Sequence, residues 1–536
     1  MTELLKCRMK SYIQPFERKL ALAELALLSE AEPHPAEEGS SEVLEYTVRS
    51  SVPAQALANK LAYWEAIGHK QDFITDQVLR EATVNIVRNG IAFEQIQWSV
   101  QLNLHKSIPN RRCLRYGPHG LHEYRGKFFP QLVRSLINVA GVPNGGIVAD
   151  PMSGSGTTLV ETILSGCHGI GLDMNPLSVF MGRTKCAILS ANPQEIIESY
   201  SVIQNHLSSI NLANIELKYF MSLPKADQDY LINWFSPKAL IELDCISQAL
   251  QLQTSPIVRG LMELSFSNII RGASWQKADD LRVRKEIRPD DEIHPINDFL
   301  EEFGRAVKTV VSCLYQTGGL QMGSFDLQEG DARRLSHYWS AWRGKVDAVI
   351  TSPPYATALP YLDTDRLSLI YLGFLTRQEQ RQRDVQMIGN REITEKVRQE
   401  YWRTFGEVKA KLPESVVALI ERIDTLNSTI EVGFRRRNLP SLLAKYFLDM
   451  KEVLAGIHQL LKPGATAYIV VGDNHTTAGN ERVNISTAPL LSEIAETVGL
   501  QAGEHIPMEM LVSRDIFKKN AGASETILCL RRPKGN

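Results

Sequence analysis

The sequence predicts an α/β protein centred on a doubly wound, mostly parallel sheet. Three observations predict it. Short apolar runs alternate with stretches of helical periodicity, several of those runs end in an acid, and a Gly/Ser-rich turn joins the first run to its helix. In open sheets of this kind ligands lie outside the carboxyl ends of the strands, so residues that end strands are the first site candidates.

The 536 residues exceed one ordinary compact domain, so a large core carrying insertions is expected. With 43% hydrophobic and 22% charged residues, the chain is neither disordered nor fibrous in type. It offers no long uncharged apolar run for a membrane helix, and MTELLKCRMKSYIQ lacks the apolar core of a signal peptide; a cytoplasmic protein is expected. Cys7, Cys113, Cys167, Cys186, Cys245, Cys313 and Cys529 form no Cys-x-x-Cys pair, so neither a metal site nor a disulfide framework is expected. A net charge of -2 argues against a protein that coats nucleic acid, while local basic clusters leave room for one that visits it.

Residues 1 to about 30 read as helical through LALAELALL, and SEAEPHPAEEGSSE reads as an exposed linker. A partly helical segment follows, so residues 1–115 are expected to be a mainly helical extension without chemistry. The main domain, 116–536, opens with GIVADPMSGSGTT: a strand ending in Asp150, a Gly/Ser turn, then the helical pattern TLVETILSG. HGIGLDMN is the next strand and ends in Asp173. A helical insertion occupies about 190–320, before two further strands in GSFDLQEGDARRL and KVDAVITSPPY. A second, polar insertion spans about 376–438. The sheet resumes at 441–472, where an amphipathic helix leads through LLKPG into the strand ATAYIVVGD, and ETILCLRRP closes the chain.

Two familiar glycine patterns fail on DPMSGSGTT. A phosphate-binding loop needs a lysine after its last glycine, and a dinucleotide fingerprint needs a third glycine where Leu159 stands. The segment resembles instead the Asp/Asn-Pro-x-x-Gly-x-Gly-Thr loop of amino-group methyltransferases, which implies a Rossmann-like methyltransferase sheet with an antiparallel C-terminal strand, and S-adenosylmethionine as cofactor. That cofactor carries no phosphate, so the loop needs no lysine. It needs close backbone approach, which Gly154 and Gly156 permit because they lack a Cβ. By the resemblance Asp150, Pro151, Gly154, Ser155, Gly156 and Thr157 line the cofactor, Asp150 meeting its ammonium group. Asp173, with Met174, would take the ribose hydroxyls; Asp331, with Ala332, would accept from the adenine amino group. HGLHEYRGKFFPQLVRSLI resembles the segment that precedes this loop, which places Tyr124, Lys127 and Phe128 against the cofactor. Any one of the three acids is equally well explained as a helix cap; three together, each after a strand, are not.

KVDAVITSPPY runs from a strand into Ser352, Pro353, Pro354 and Tyr355. An exocyclic amino nitrogen is a poor nucleophile because its lone pair is delocalised into the ring. Acceptors aimed at the amino hydrogens, the Ser352 hydroxyl and the Pro353 carbonyl, favour the developing cationic nitrogen, and the prolines stiffen the loop. Tyr355 offers a flat face to a base turned out of the helix. The loop resembles the Ser/Asp/Asn-Pro-Pro-Tyr/Phe/Trp motif of DNA amino-methyltransferases and is closest to that of bacterial site-specific cytosine-N4 enzymes, since Ser preceded by Thr is typical of them. The resemblance implies double-stranded DNA with a flipped base as substrate, and a restriction or defence-system partner. Adenine N6, an RNA amino-methyltransferase and a catalytically silent DNA-binding subunit are the alternatives.

The resemblance covers about 116–187 and 322–375, and the last hundred residues more weakly. No large, separate C-terminal target-recognition domain is expected after the sheet. DNA reading is therefore expected from the insertions, the first with Arg271, Trp275, Lys277, Arg282 and Arg284, the second with Arg435, Arg436 and Arg437.

Overall fold

The computed structural model describes residues 2–36, 44–88, 90–124, 126, 128–212, 215–277, 284–356, 361–390, 392–509 and 524–535. Its centre is a seven-stranded sheet formed by β1 (Ile147–Asp150), β2 (His168–Asp173), β3 (Ser324–Glu329), β4 (Val346–Thr351), β5 (Leu461–Gly472), β6 (Gln501–Glu509) and β7 (Ser524–Arg531). The spatial order is β6-β7-β5-β4-β1-β2-β3. All neighbours from β5 to β3 are parallel, and β7 runs antiparallel to both β5 and β6. Chain order reverses between β1 and β4, and the crevice above that switch point is where a ligand fits.

The expected strands form because helices cover both faces of the sheet, so β1, β2 and β4 are near-continuous apolar runs. Their side chains alternate between two cores. Val148, Ile350, Tyr468 and Val470 meet Leu132, Val133 and Leu136 of helix α1 (Pro130–Val139). Ala149, Val349, Ala467 and Ile469 share the opposite core with Leu443, Phe447 and Leu454 of the long helix near the C-terminus. Next come α2 (Thr157–Leu164), after the glycine loop, and α3 (Pro176–Ala187), which starts with Pro176 behind an N-cap at Asn175.

The N-terminal extension holds more than the expected helices. Beside them, the residues up to Ile74 form a five-stranded antiparallel sheet, ordered His34–Pro35, Glu45–Ser50, Glu3–Met9, Trp64–Gly68 and Asp72–Ile74. In Glu3–Met9 only Leu5, Cys7 and Met9 are buried, the period of a half-buried strand, and the helix begins only at Pro15. The extension is wired into the main domain: Gln77 Nε2 donates to Tyr116 Oη at 2.9 Å, and Asn138 Nδ2 of α1 donates to Glu24 Oε2, also at 2.9 Å. Glu161 of α2 accepts from Tyr116 Oη at 3.0 Å and stands 2.8 Å from His119 Nε2. Burial alone would raise its carboxyl, but His119, Arg80 and Arg134 hold it down at about 2.

In the first insertion the helices Pro193–Ser208, Pro237–Leu250, Pro256–Ala273 and α4 (Pro295–Thr317) share one apolar core. Arg282 lies outside the described residues. The second insertion contributes helices Arg377–Gln386, Glu395–Val408 and Glu414–Ser428. The helix expected from 441 starts earlier, as α5 (Phe434–Leu460). Among the described residues no helix is long and apolar enough to cross a membrane, and no group of three or more His, Cys, Asp or Glu could hold a metal ion.

Candidate active site

The first wall of the site is the turn after β1. Gly154 and Gly156 adopt φ of +48° and +83°. A Cβ on Gly154 would stand 2.9 Å from the Tyr124 ring, and one on Gly156 would stand 2.7 Å from the Gly182 Cα of α3. Both positions therefore require glycine on two counts, backbone conformation and space. The neighbouring strand grips the turn: Ser153 N donates to Leu172 O at 3.0 Å, and Gly154 N to Asp173 Oδ2 at 2.8 Å. Asp173 Oδ1 accepts from Asn175 N, also at 2.8 Å. Each carboxylate oxygen keeps a second lone pair for a ligand.

The second wall follows β4. Thr351 Oγ1 donates to Asp150 Oδ1 at 2.7 Å, which ties the two loops together across the switch point. Asp150 Oδ1 also accepts from Met152 N at 3.2 Å. Burial pushes the carboxyls of Asp150 and Asp173 up to about 6, against their hydrogen bonds. Ser352 Oγ donates to Val470 O of β5 at 3.1 Å, so its proton is engaged and its lone pairs remain as acceptors. The Tyr355 hydroxyl donates to Glu525 of β7.

A cavity of about 310 Å³ joins the two walls. From the glycine-loop side it is lined by Asp150, Pro151, Gly154, Ser155 and Thr157, and from the catalytic-loop side by Ser352, Pro354 and Tyr355. Tyr124, Phe128, Asp173, Met174 and Ala332 complete the expected set in its wall. Pro353 and Gly156 are not in that wall, and Lys127 lies outside the described residues. Asp331 is also absent from it, although Gly330 and Ala332 flank it there. Its carboxylate accepts from Arg333 N at 3.0 Å and from the guanidinium at 2.6 to 3.0 Å, and Arg333 in turn reaches Asp449 of α5 at 3.2 Å. The short turn after β3 brings that arginine within reach, so the carboxylate faces it.

Several lining residues escaped the sequence reading. Ser153 Oγ and Asn175 Nδ2 are buried without a hydrogen-bond partner among the described residues, which marks them as polar groups awaiting a ligand. Asn175 was legible as an N-cap before a proline. Met387 and Ile388 arrive from the second insertion, whose Arg383 donates to Met174 O at 3.0 Å and pairs with Glu329. Gly389 follows with φ +75°, and a Cβ there would stand 3.0 Å from Pro354 Cβ. Met508 and Glu525 come from β6 and β7. Only the fold joins these residues to the motifs.

Comparison with known proteins adds a family and relatives. The UPF0020 family model (RMKL-like, methyltransferase domain) matches residues 122–207, which contain the glycine loop and Asp173. Type II methyltransferase M.BsoBI of Geobacillus stearothermophilus is 25% identical over 458 residues, covering 78% of this chain and 83% of its own. Type II methyltransferase M.MvaI of Kocuria varians is 23% identical, covering 70% of this chain and 80% of its own. Among solved structures, TrmN from Thermus thermophilus aligns over 99% of this chain and 100% of its own at 10% identity, with a TM-score of 0.33. The family match and the curated relatives agree with the amino-methyltransferase resemblance carried by DPMSGSGTT and TSPPY.

Proposed function

We propose that this chain, which carries a methyltransferase domain and is related to Type II methyltransferases, methylates an exocyclic amino group of a base flipped out of duplex DNA, with S-adenosylmethionine as methyl donor. Cytosine N4 is the first reading of the target and adenine N6 the second. The observation that carries the proposal is the Thr351–Asp150 hydrogen bond, which holds the cofactor-type loop and the Ser-Pro-Pro-Tyr loop on one cavity.

The cavity suits S-adenosylmethionine, which when bound supplies an electrophilic methyl on a sulfonium. Asp150 would hold the ammonium group and Asp173 the ribose hydroxyls, while Ser153 Oγ and Asn175 Nδ2 would gain partners. Ser352 Oγ accepts from the amino hydrogens of the base, which favours charge developing on that nitrogen. Tyr355 carries the base on its ring. Alignment of the reacting groups, with no covalent step on the protein, supplies the rate.

DNA rather than RNA is supported by Thr351-Ser352 before the prolines and by the Type II relatives. The occupied motif positions argue against a silent subunit. A cytoplasmic enzyme working beside a restriction or other defence function fits the same relatives. Incubating the protein with labelled S-adenosylmethionine and either duplex DNA or total RNA tests the reading: label is expected in DNA, as N4-methylcytosine. N6-methyladenine would move the target to the second reading, and label in RNA alone would sink the proposal.

The two raised carboxyls predict a pH dependence. Both bind cofactor as carboxylates, and burial holds their pKa at about 6. Affinity is therefore full above pH 7 and is lost as pH falls through 6. Titration calorimetry should find binding at least about tenfold weaker at pH 5 than at pH 7. A flat profile would remove both acids from the ligand.

For DNA reading we favour the second insertion, because its Met387 and Ile388 reach the cavity and Arg435 pairs with Glu392 just beyond Gly389. Arg436 and Arg437 are exposed at the start of α5, beside Phe434 at 51% exposure. Replacing both arginines by alanine should weaken DNA binding and flatten its log–log salt slope by about 0.9 per lost phosphate contact. Anisotropy across a salt series measures it; an unchanged slope would return the role to the first insertion.

A further inference from the structure

The base-stacking role given to Tyr355 needs something that holds its ring at one angle. The sheet does. Glu525 on β7 stands opposite Gly472 of β5 in register, and opposite Met508 of β6 on its other side. The Tyr355 hydroxyl donates to Glu525 Oε1. The Cδ2–Cε2–Cζ edge of the ring lies over Gly472, where a Cβ would stand 2.7 to 3.3 Å from those atoms. The ring is thus fixed at two points, its oxygen and one edge, and Ser352, Tyr355 and Glu525 all line the same cavity. Burial pushes the Glu525 carboxyl up while the Tyr355 hydrogen bond opposes the rise.

We propose that Glu525 is a positioning residue for the target base: with Gly472 it clamps the Tyr355 ring at the angle on which the flipped base stacks. This rests on the reading of Tyr355 as the base platform. A ring already ordered spends no conformational entropy when the base arrives. The clamp needs only an acceptor, so glutamine, whose Oε1 accepts the same proton, can serve and leucine cannot.

The test uses the full chain with 3-fluorotyrosine placed at position 355 and read by fluorine NMR. Wild type and E525Q should share one shifted resonance; E525L should move it with unchanged melting temperature and cofactor affinity, and G472A should move it too. On duplex DNA, E525L and Y355F should each lower kcat about tenfold, the combined variant no further, and E525Q should recover most of the loss. An unmoved resonance in E525L, or an E525Q as damaging as E525L, overturns the clamp. If wild type methylates no DNA but the resonance responds, the clamp stands and the proposed function falls.

Discussion

Ser352→Ala is expected to lower turnover on duplex DNA by about 10²- to 10³-fold and to leave cofactor affinity within about twofold of wild type, the scale seen when one preorganised polar partner of a transition state is removed. The size of the effect follows from where the hydroxyl points. Its proton goes to Val470 O at 3.1 Å, so the lone pairs are free to accept from the amino group whose nitrogen gains charge during transfer. Alanine removes that acceptor only where charge develops. It leaves the cofactor wall intact, because Asp150 is tied to Thr351 and not to Ser352. Single-turnover kinetics read the first quantity and titration calorimetry the second. Equal losses in both would mean that the cofactor and catalytic loops have been assigned to the wrong halves of the site.

Asp173→Ala is expected to produce the opposite pattern: cofactor affinity should fall by about 10²-fold, while turnover at saturating cofactor should stay close to wild type. The carboxylate accepts from Gly154 N and from Asn175 N, both at 2.8 Å, and a hydrogen bond to a charged group contributes about 1.5–3 kcal/mol. Alanine deletes both bonds and the acceptor for the ribose, so the glycine loop loses its anchor to β2. Ser352 and Tyr355 lie in the loop after β4, on a different strand from that anchor. Calorimetry on Asp173→Ala, with kcat measured at rising cofactor concentration, separates the two effects. An affinity within about threefold of wild type would take Asp173 out of the cofactor site, since each lost bond alone predicts more.

Much of the site was legible because its residues act through local conformation. Gly154 and Gly156 stand at positive φ, where other residues are strained, so their spacing survives in the sequence as a pattern. Asp150, Asp173 and Ser352 end or follow buried strands, and a strand's apolar run shows where its ligand-facing end lies. Asp331 met the same rule and differs, because the arginine two residues on takes its carboxylate. The antiparallel sheet of the N-terminal extension was hidden for another reason. The alternation of Leu5, Cys7 and Met9 is only a few residues long, and the helical run of Pro15–Ser29 beside it dominates any longer window.

The sequence by itself determined the glycine-rich loop and the Ser-Pro-Pro-Tyr loop, their order along the chain and the mostly parallel sheet that carries them, since each rests on steric or periodic constraints acting over a few neighbouring residues. The tertiary structure alone decided what surrounds those loops. It carried Met387 and Ile388 from a distant insertion to the cavity, bonded Thr351 to Asp150, and set Glu525 and Gly472 around Tyr355. Those pairings join residues far apart in the chain through the order of strands in the sheet, and no local pattern records which strand lies beside which.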